Sequence, residues 1–389
     1  MFLRDEILDV VIVGGGFAGS ALGAVLAARG FRIAVCDPHE VHPHDFRAEK
    51  LSTDQIEALQ RLGLAAPALR AATPIARLRI ARQGRIVDTR PSLEFGFDYA
   101  ALVAALRAVV PAPNWIRRRV DAIGGEDGLQ VVALNGGPPL RARLVVLATG
   151  LDLSLRRSLG LERVVRSENH SLAIGFDLEV DAGAADCTLT YYGERIADRI
   201  GYLTLFPIAE RLRANLFVYR APGEGWSRAF RTDPMAALSE HLPGLRHMLP
   251  PFSIATAPVL RPIHLYAPPE RNCDAVVLIG DAYSTTCPAG GGGLRKTLTD
   301  IERLLTFLPR WLNRTRPIDA AAIAAFYQDP LKRVSEANAL RTAEVSRAMA
   351  IDPGLYWEAR RQRNYYGARV QSWFRRRSDR AREPAAEAM

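Results

Sequence analysis

The sequence predicts a mixed α/β (α+β) protein: a first domain of parallel strands and helices, a second built on an antiparallel sheet, and a helical C-terminal segment. Three observations predict it. A β-branched run near the N-terminus enters a glycine cluster and then an alanine- and leucine-rich stretch. The same strand grammar returns far downstream before a second glycine cluster, and the region between changes to alternating strands.

With 389 residues, 48% hydrophobic and 24% charged, the chain has ordinary globular composition and enough length for roughly two or three cores. A disordered chain and a fibrous repeat are excluded. The four cysteines, at 36, 187, 273 and 287, are too scattered for a disulfide framework and lack C-x-x-C spacing, so a reducing, cytoplasmic setting is expected. Glycines 14, 15, 16, 19 and 23 dilute the uncharged stretch from Val10 to Ala28 as a membrane span. Arg4, Asp5, Glu6 and Asp9 do not make the basic flank of an export signal. The formal charge of +9 is concentrated in one place: Arg360 to Arg382 carries nine arginines against Asp379. The remainder is nearly neutral, and nucleic acid is not an expected partner.

Val10 to Val13 reads as a buried strand that runs directly into Gly14-Gly15-Gly16-Phe17-Ala18-Gly19. The G-x-G-x-x-G glycines fall at 14, 16 and 19, where a tight turn, a close backbone approach to a pyrophosphate and helix-on-strand packing each exclude a Cβ. The helix that follows, to Arg29 with Gly30 behind it, presents free N–H groups and its positive end to an anion. A second strand, Arg32 to Cys36, ends in Asp37, the acid expected to accept a ribose hydroxyl. Strand, glycines, helix, strand and acid in this order predict a Rossmann-like dinucleotide domain. The loop from His39 to Asp45 holds His39, His42 and His44, and is expected to be a polar loop beside an adenosine site rather than a metal site. Leucine spacing predicts a helix from Phe46 to Gly63, with Arg47 near its start where a cation meets a pyrophosphate.

Ala275 to Ile279 repeats the strand pattern and gives Gly280-Asp281-Ala282. Pro288 and four glycines, Gly290 to Gly293, then precede a helix expected from Leu294 to Leu308. Four consecutive glycines are entropically costly, which points to backbone lying flat against something large and planar. The helix N-terminus behind them would stabilise negative charge on it.

These residues resemble the FAD-dependent aromatic hydroxylases of the para-hydroxybenzoate hydroxylase type. Gly280, Asp281, Ala282, Pro288, Gly291, Gly293 and Asp300 are in register with that family's second FAD motif. The resemblance implies that FAD is held by Gly14, Gly16, Phe17, Ala18, Gly19, Asp37, Arg47, Gly150, Gly280, Asp281, Pro288, Gly291, Gly292, Gly293 and Leu294. It also implies NAD(P)H as reductant, molecular oxygen as co-substrate, and hydroxylation of an aromatic or other electron-rich small molecule through a C4a-hydroperoxyflavin. Tyr283, Ser284 and Arg295 depart from the motif. A third family motif survives as Thr149 to Arg157, with Thr149 in place of its acid and Arg156 or Arg157 as its arginine. The arginine expected at the start of the preceding helix is replaced by Asp98-Tyr99.

Strands expected at 173–180, 188–192, 201–206 and 214–219 form the antiparallel sheet. The resemblance makes it the substrate domain, with Tyr191, Tyr192, Tyr202, Phe206 and Phe217 as candidate lining residues. Expected boundaries are 1–70, 95–165 and 265–315 for a discontinuous FAD-binding domain, 71–94 and 166–264 for the β-rich substrate domain, and 316–389 for the C-terminal helical segment with its arginine-rich tail. From Leu355 that tail interleaves aromatics with arginine, so it either packs on the body or meets a membrane surface or an acidic protein. No catalytic residue is named. The competing readings are an FAD-dependent reductase of a lipid-like or isoprenoid substrate and a flavoprotein that serves as a maturation or docking partner.

Overall fold

The computed structural model describes residues 6–43, 46–47, 49–180, 187–313 and 316–386. The chain divides into two compact units, 1–72, 97–168 and 264–342 in the first, and 73–96, 169–263 and 343–389 in the second.

In the first unit, the strand Ile7–Val13 lies between Ile33–Cys36 and Leu140–Leu147, parallel to both. Val10, Val11 and Ile12 are completely buried, as expected for a strand with both faces covered. Trp115–Ile116 extends one side of the sheet, and the antiparallel strands Val120–Glu126 and Leu129–Leu134 extend the other. Val276–Leu278 runs parallel to Leu140–Leu147. Both glycine clusters therefore leave the same end of one parallel sheet, where ligands of such folds collect.

The helix expected over 46–63 is shorter. Lys50–Leu51 is a strand, and the helix spans Thr53–Arg61. Ser52-x-x-Gln55 sets the later start, with Gln55 Oε1 accepting from the Ser52 N–H at 3.1 Å.

In the second unit, the strands Val164–Val180, Arg211–Val218, Ile200–Ile208 and Cys187–Tyr192 are antiparallel neighbours in that order. A hairpin of Ala72–Arg82 and Arg85–Phe97 continues the sheet. One face carries Leu172, Ile174, Phe176, Leu189, Tyr191, Leu203, Leu205, Leu212 and Leu216, and packs against Phe230, Leu238 and Leu245 of the covering helices. The chain ends in the helices expected after residue 316, divided between the two units. Ala320–Tyr327 and the first part of Pro330–Ile351 belong to the first unit, and the remainder, including the helix Leu355–Ala386, to the second.

Candidate functional site

The first glycine turn is fixed by close backbone packing. Gly14 adopts φ +102°, and a Cβ there would stand 2.6 Å from the Ala148 carbonyl oxygen. At Gly19 a Cβ would fall 1.8 Å from the Gly14 carbonyl oxygen, so the helix Phe17–Ala28 sits directly on the turn. Gly16 faces open space, its nearest neighbour being His42 Cε1 at 3.9 Å. Phe17 and Ala18 start the helix, whose N-cap is Gly16 and therefore offers no side-chain acceptor to the first N–H groups.

Asp37 is buried at the end of its strand. Its Oδ2 accepts from the Gly15 N–H at 2.6 Å and its Oδ1 from the His39 N–H at 2.8 Å. Each carboxylate oxygen retains acceptor capacity for a hydroxyl. Arg107 is the residue that sequence reading missed. It ends the helix Tyr99–Arg107, is buried, and donates to the Gly15 carbonyl at 3.1 Å and to the His39 carbonyl. Burial lowers its pKa and the nearby Asp37 carboxylate raises it. Its guanidinium also lies over the Trp115 ring, 4.6 Å from the centroid. The absence of arginine at the start of this helix was legible; a compensating cation two turns later was not. His39 and His42 diverge, His39 toward Asp37 and His42 toward the Tyr99 ring. His44 and Asp45 lie outside the described residues, and among the described residues no group of three metal-ligating side chains converges.

The second glycine cluster meets the first. Gly280 adopts φ +60°, and a Cβ there would lie 3.6 Å from the Ala18 Cβ. Arg47 Nη1 forms an ion pair with Asp281 Oδ2 at 2.9 Å across 234 residues of sequence. Arg163, half-buried, donates to the carbonyls of Gly150 and Asp281 at 3.1 Å each. Gly150, at φ +60°, would place a Cβ 3.9 Å from Arg47 Nη2. Of the two candidate arginines in the third motif, Arg156 is the buried one: it donates to the carbonyls of Ala282, Leu161 and Glu162. Burial, aided by Arg163, lowers its pKa to about 10.

Pro288 opens a short turn, Gly291 caps the helix Gly292–Leu312 at φ +64°, and Gly293 and Leu294 lie in its first turn. Gln55 Nε2 donates to the Gly291 carbonyl at 2.9 Å, linking the capping box to the glycine run. Behind this turn two of the chain's three lysines are fully buried. Lys332 Nζ contacts Asp300 Oδ1 at 2.5 Å, and Asp300 Oδ2 accepts from the Gly280 N–H at 2.8 Å. Lys296 Nζ donates to the Ser284 carbonyl at 2.6 Å and pairs with Glu336 at 3.2 Å. Burial alone would raise the Glu336 carboxyl; Lys296 and Lys332 outweigh it and hold the pKa below its ordinary value. Tyr283, which replaces an alanine of the family motif, lies under the Lys332 ammonium at 4.0 Å and stacks on Tyr327. Burial raises its phenol pKa.

These features fit an elongated dinucleotide. Two glycine turns converge, two helix N-termini face them, and three buried polar atoms beside them, Arg107 Nε, Thr149 Oγ1 and Arg163 Nε, have no hydrogen-bond partner in the protein. A groove of about 1090 Å³ borders the glycine run and is lined by Arg61, Gly290, Gly292, Arg295 and Asn338, and by none of Gly14, Gly16, Gly19 or Asp281.

The family model described as "FAD binding domain" matches residues 7–121. The fold is that of the p-nitrophenol 4-monooxygenase of Pseudomonas putida DLL-E4, with TM-score 0.74 over 93% of this chain and 94% of that one at 17% identity. This chain carries an FAD-binding domain and has the fold of FAD-dependent aromatic hydroxylases. It is an FAD-dependent oxidoreductase. Klebsiella pneumoniae HpxO, solved with FAD and uric acid, matches with TM-score 0.71 over 96% of this chain and 95% of that one at 18% identity. The 3-demethoxyubiquinol 3-hydroxylase of Escherichia coli (strain K12) is 26% identical over 331 residues, 79% of this chain and 81% of that protein.

The second unit corrects one candidate. Tyr191 belongs to the core packed against the covering helices, with its hydroxyl bonded to Glu194. Successive strand residues point to opposite faces, so of the two neighbouring candidates only Tyr192 lies on the face away from those helices. Tyr192, Tyr202 and Phe217 form a ring cluster there, with centroids 5.7 and 4.9 Å apart. Phe206 contributes to a separate small cluster with Ile75 and Ile208.

Proposed function

We propose that the chain is a monooxygenase that hydroxylates an electron-rich aromatic small molecule of phenol or quinol type, with NAD(P)H as electron donor and molecular oxygen as co-substrate. The observation that carries this reading is the meeting of the two glycine turns, at Ala18 against Gly280 and at Arg47 against Asp281. The hydroxylases of similar fold and the quinol hydroxylase relative support the substrate class.

In this reading the first unit holds FAD. Gly16, Phe17, Ala18 and Gly19 present backbone N–H groups to the pyrophosphate, Gly14 makes the tight turn with its own N–H on the Cys36 carbonyl, and Asp37 accepts a ribose hydroxyl while keeping the turn rigid through Gly15. Arg47 and Gly150 border the middle of the cofactor with Gly280 and Asp281. Pro288, Gly291, Gly292, Gly293 and Leu294 form the ring end, where the helix N-terminus favours negative charge. The chemistry that FAD supplies when bound is two-electron reduction and activation of oxygen. The protein's own contribution is placement and exclusion of water, with the buried Lys296, Lys332, Asp300 and Glu336 network keeping the Gly280 turn fixed from behind. Tyr192, Tyr202, Phe206 and Phe217 are the proposed substrate-side aromatics of the second unit. A cytoplasmic setting is supported by the four free cysteines, of which Cys36 is pushed up to about 12 by burial and the adjacent Asp37. The arginine- and aromatic-rich C-terminal helix is assigned to contact with an anionic surface.

The test is the absorbance spectrum of the purified protein, followed by NADPH- and NADH-dependent bleaching and oxygen uptake with a panel of phenols and short-chain quinols. A flavin spectrum, substrate-stimulated oxygen uptake and a hydroxylated product are expected. Colourless protein that takes up no FAD, or substrate turnover that proceeds equally without oxygen, refutes the reading; the second result would favour a reductase.

A further inference from the structure

We propose that the helix Leu355–Ala386 binds flat on the surface of an anionic lipid membrane. Its inner face is committed to the second unit. Tyr365 and Ser372 are buried and Arg375 pairs with Asp88 at 2.5 Å. On the opposite face Leu355, Tyr356, Tyr366, Val370, Trp373 and Phe374 are all exposed. With about 100° of rotation per residue these six fall within one arc of about 100°. Scattered exposed apolar residues are ordinary, but Trp373 at 54% and Phe374 at 58% exposure lie in line with four others along about 30 Å of helix.

The charge pattern selects the occupant. Arg363 and Arg377 lie within the stripe and Arg360 and Arg369 beside it, whereas Glu358 is the only acid from Leu355 to Arg377. A second copy of this face would oppose arginine to arginine. Anionic headgroups complement it, the arginine stems follow the apolar surface, and tryptophan and tyrosine favour the interfacial depth. No helix among the described residues is long and apolar enough to cross a membrane, so the contact is one of surface lying rather than spanning. The proposal is independent of the hydroxylase reading, because its test reads partitioning and not turnover.

The experiment is sedimentation of the FAD-loaded full chain with unilamellar vesicles of phosphatidylcholine alone or with phosphatidylglycerol, together with tryptophan emission. Binding to the anionic vesicles, weakened by salt, with a blue shift of emission, is expected. W373S/F374S should lower partitioning about tenfold or more. R363Q/R377Q should lower it about fivefold per arginine, with the flavin spectrum and thermal midpoint unchanged. Failure to bind anionic vesicles overturns the proposal. So does equal binding by W373S/F374S, a concentration-dependent dimer removed by these substitutions without vesicle binding, or binding to an acidic polypeptide but not to vesicles.

Discussion

Replacing Lys332 with methionine removes an ammonium from a position where water cannot take its place. Lys332 and Asp300 side chains are each 1% exposed and 2.5 Å apart. Methionine fills most of the volume, so the main cost is an uncompensated buried carboxylate, about 3 to 5 kcal/mol. Against a total stability of about 5 to 15 kcal/mol that is a large loss. D300N should cost less, because Lys332 still faces Glu336 at 3.4 Å and the Tyr283 ring, and the asparagine carbonyl can still accept from the Gly280 N–H. The double variant K332M/D300N leaves neither charge and should be more stable than K332M alone. Equilibrium urea unfolding of the four proteins without added FAD, followed by tryptophan fluorescence, gives the coupling energy directly. K332M within about 1 kcal/mol of the parent, or a double variant equal to the sum of the singles, would refute the reasoning.

The same network predicts an acid response. The folded-state pKa of Glu336 lies below its ordinary value, so its contribution is full above the usual carboxylate range and is lost as pH falls through the folded value. K332M should therefore move the acid-unfolding midpoint upward, read by fluorescence between neutral pH and strong acid. R47M breaks the Arg47–Asp281 pair and should weaken FAD binding about 10- to 100-fold in a flavin titration, while thermal stability of the FAD-free protein changes little because the pair is partly exposed. G19A, whose Cβ would fall 1.8 Å from the Gly14 oxygen, should abolish flavin retention on purification; normal retention would mean that the turn can open. Q55L removes the bond to Gly291 and the capping-box acceptor of the Ser52 N–H, for a loss of about 0.5 to 2 kcal/mol by chemical unfolding.

Local pattern alone determined the glycine turns, the acid after the second strand and the antiparallel middle region, because each depends on the steric needs of a few adjacent residues. Even there its precision stopped at one residue: Tyr191 and Tyr192 have nearly the same local sequence context, and only the register with Ile200–Ile208 sends one into the core and the other to the opposite face. Tertiary structure decided the partnerships. Arg107 at Gly15, Gln55 at Gly291 and Lys332 at Asp300 join residues 92, 236 and 32 positions apart, and no periodicity connects such positions. The buried lysines show why. Their composition reads as surface charge until the fold removes water from them, and then the cost of desolvation makes each contact specific.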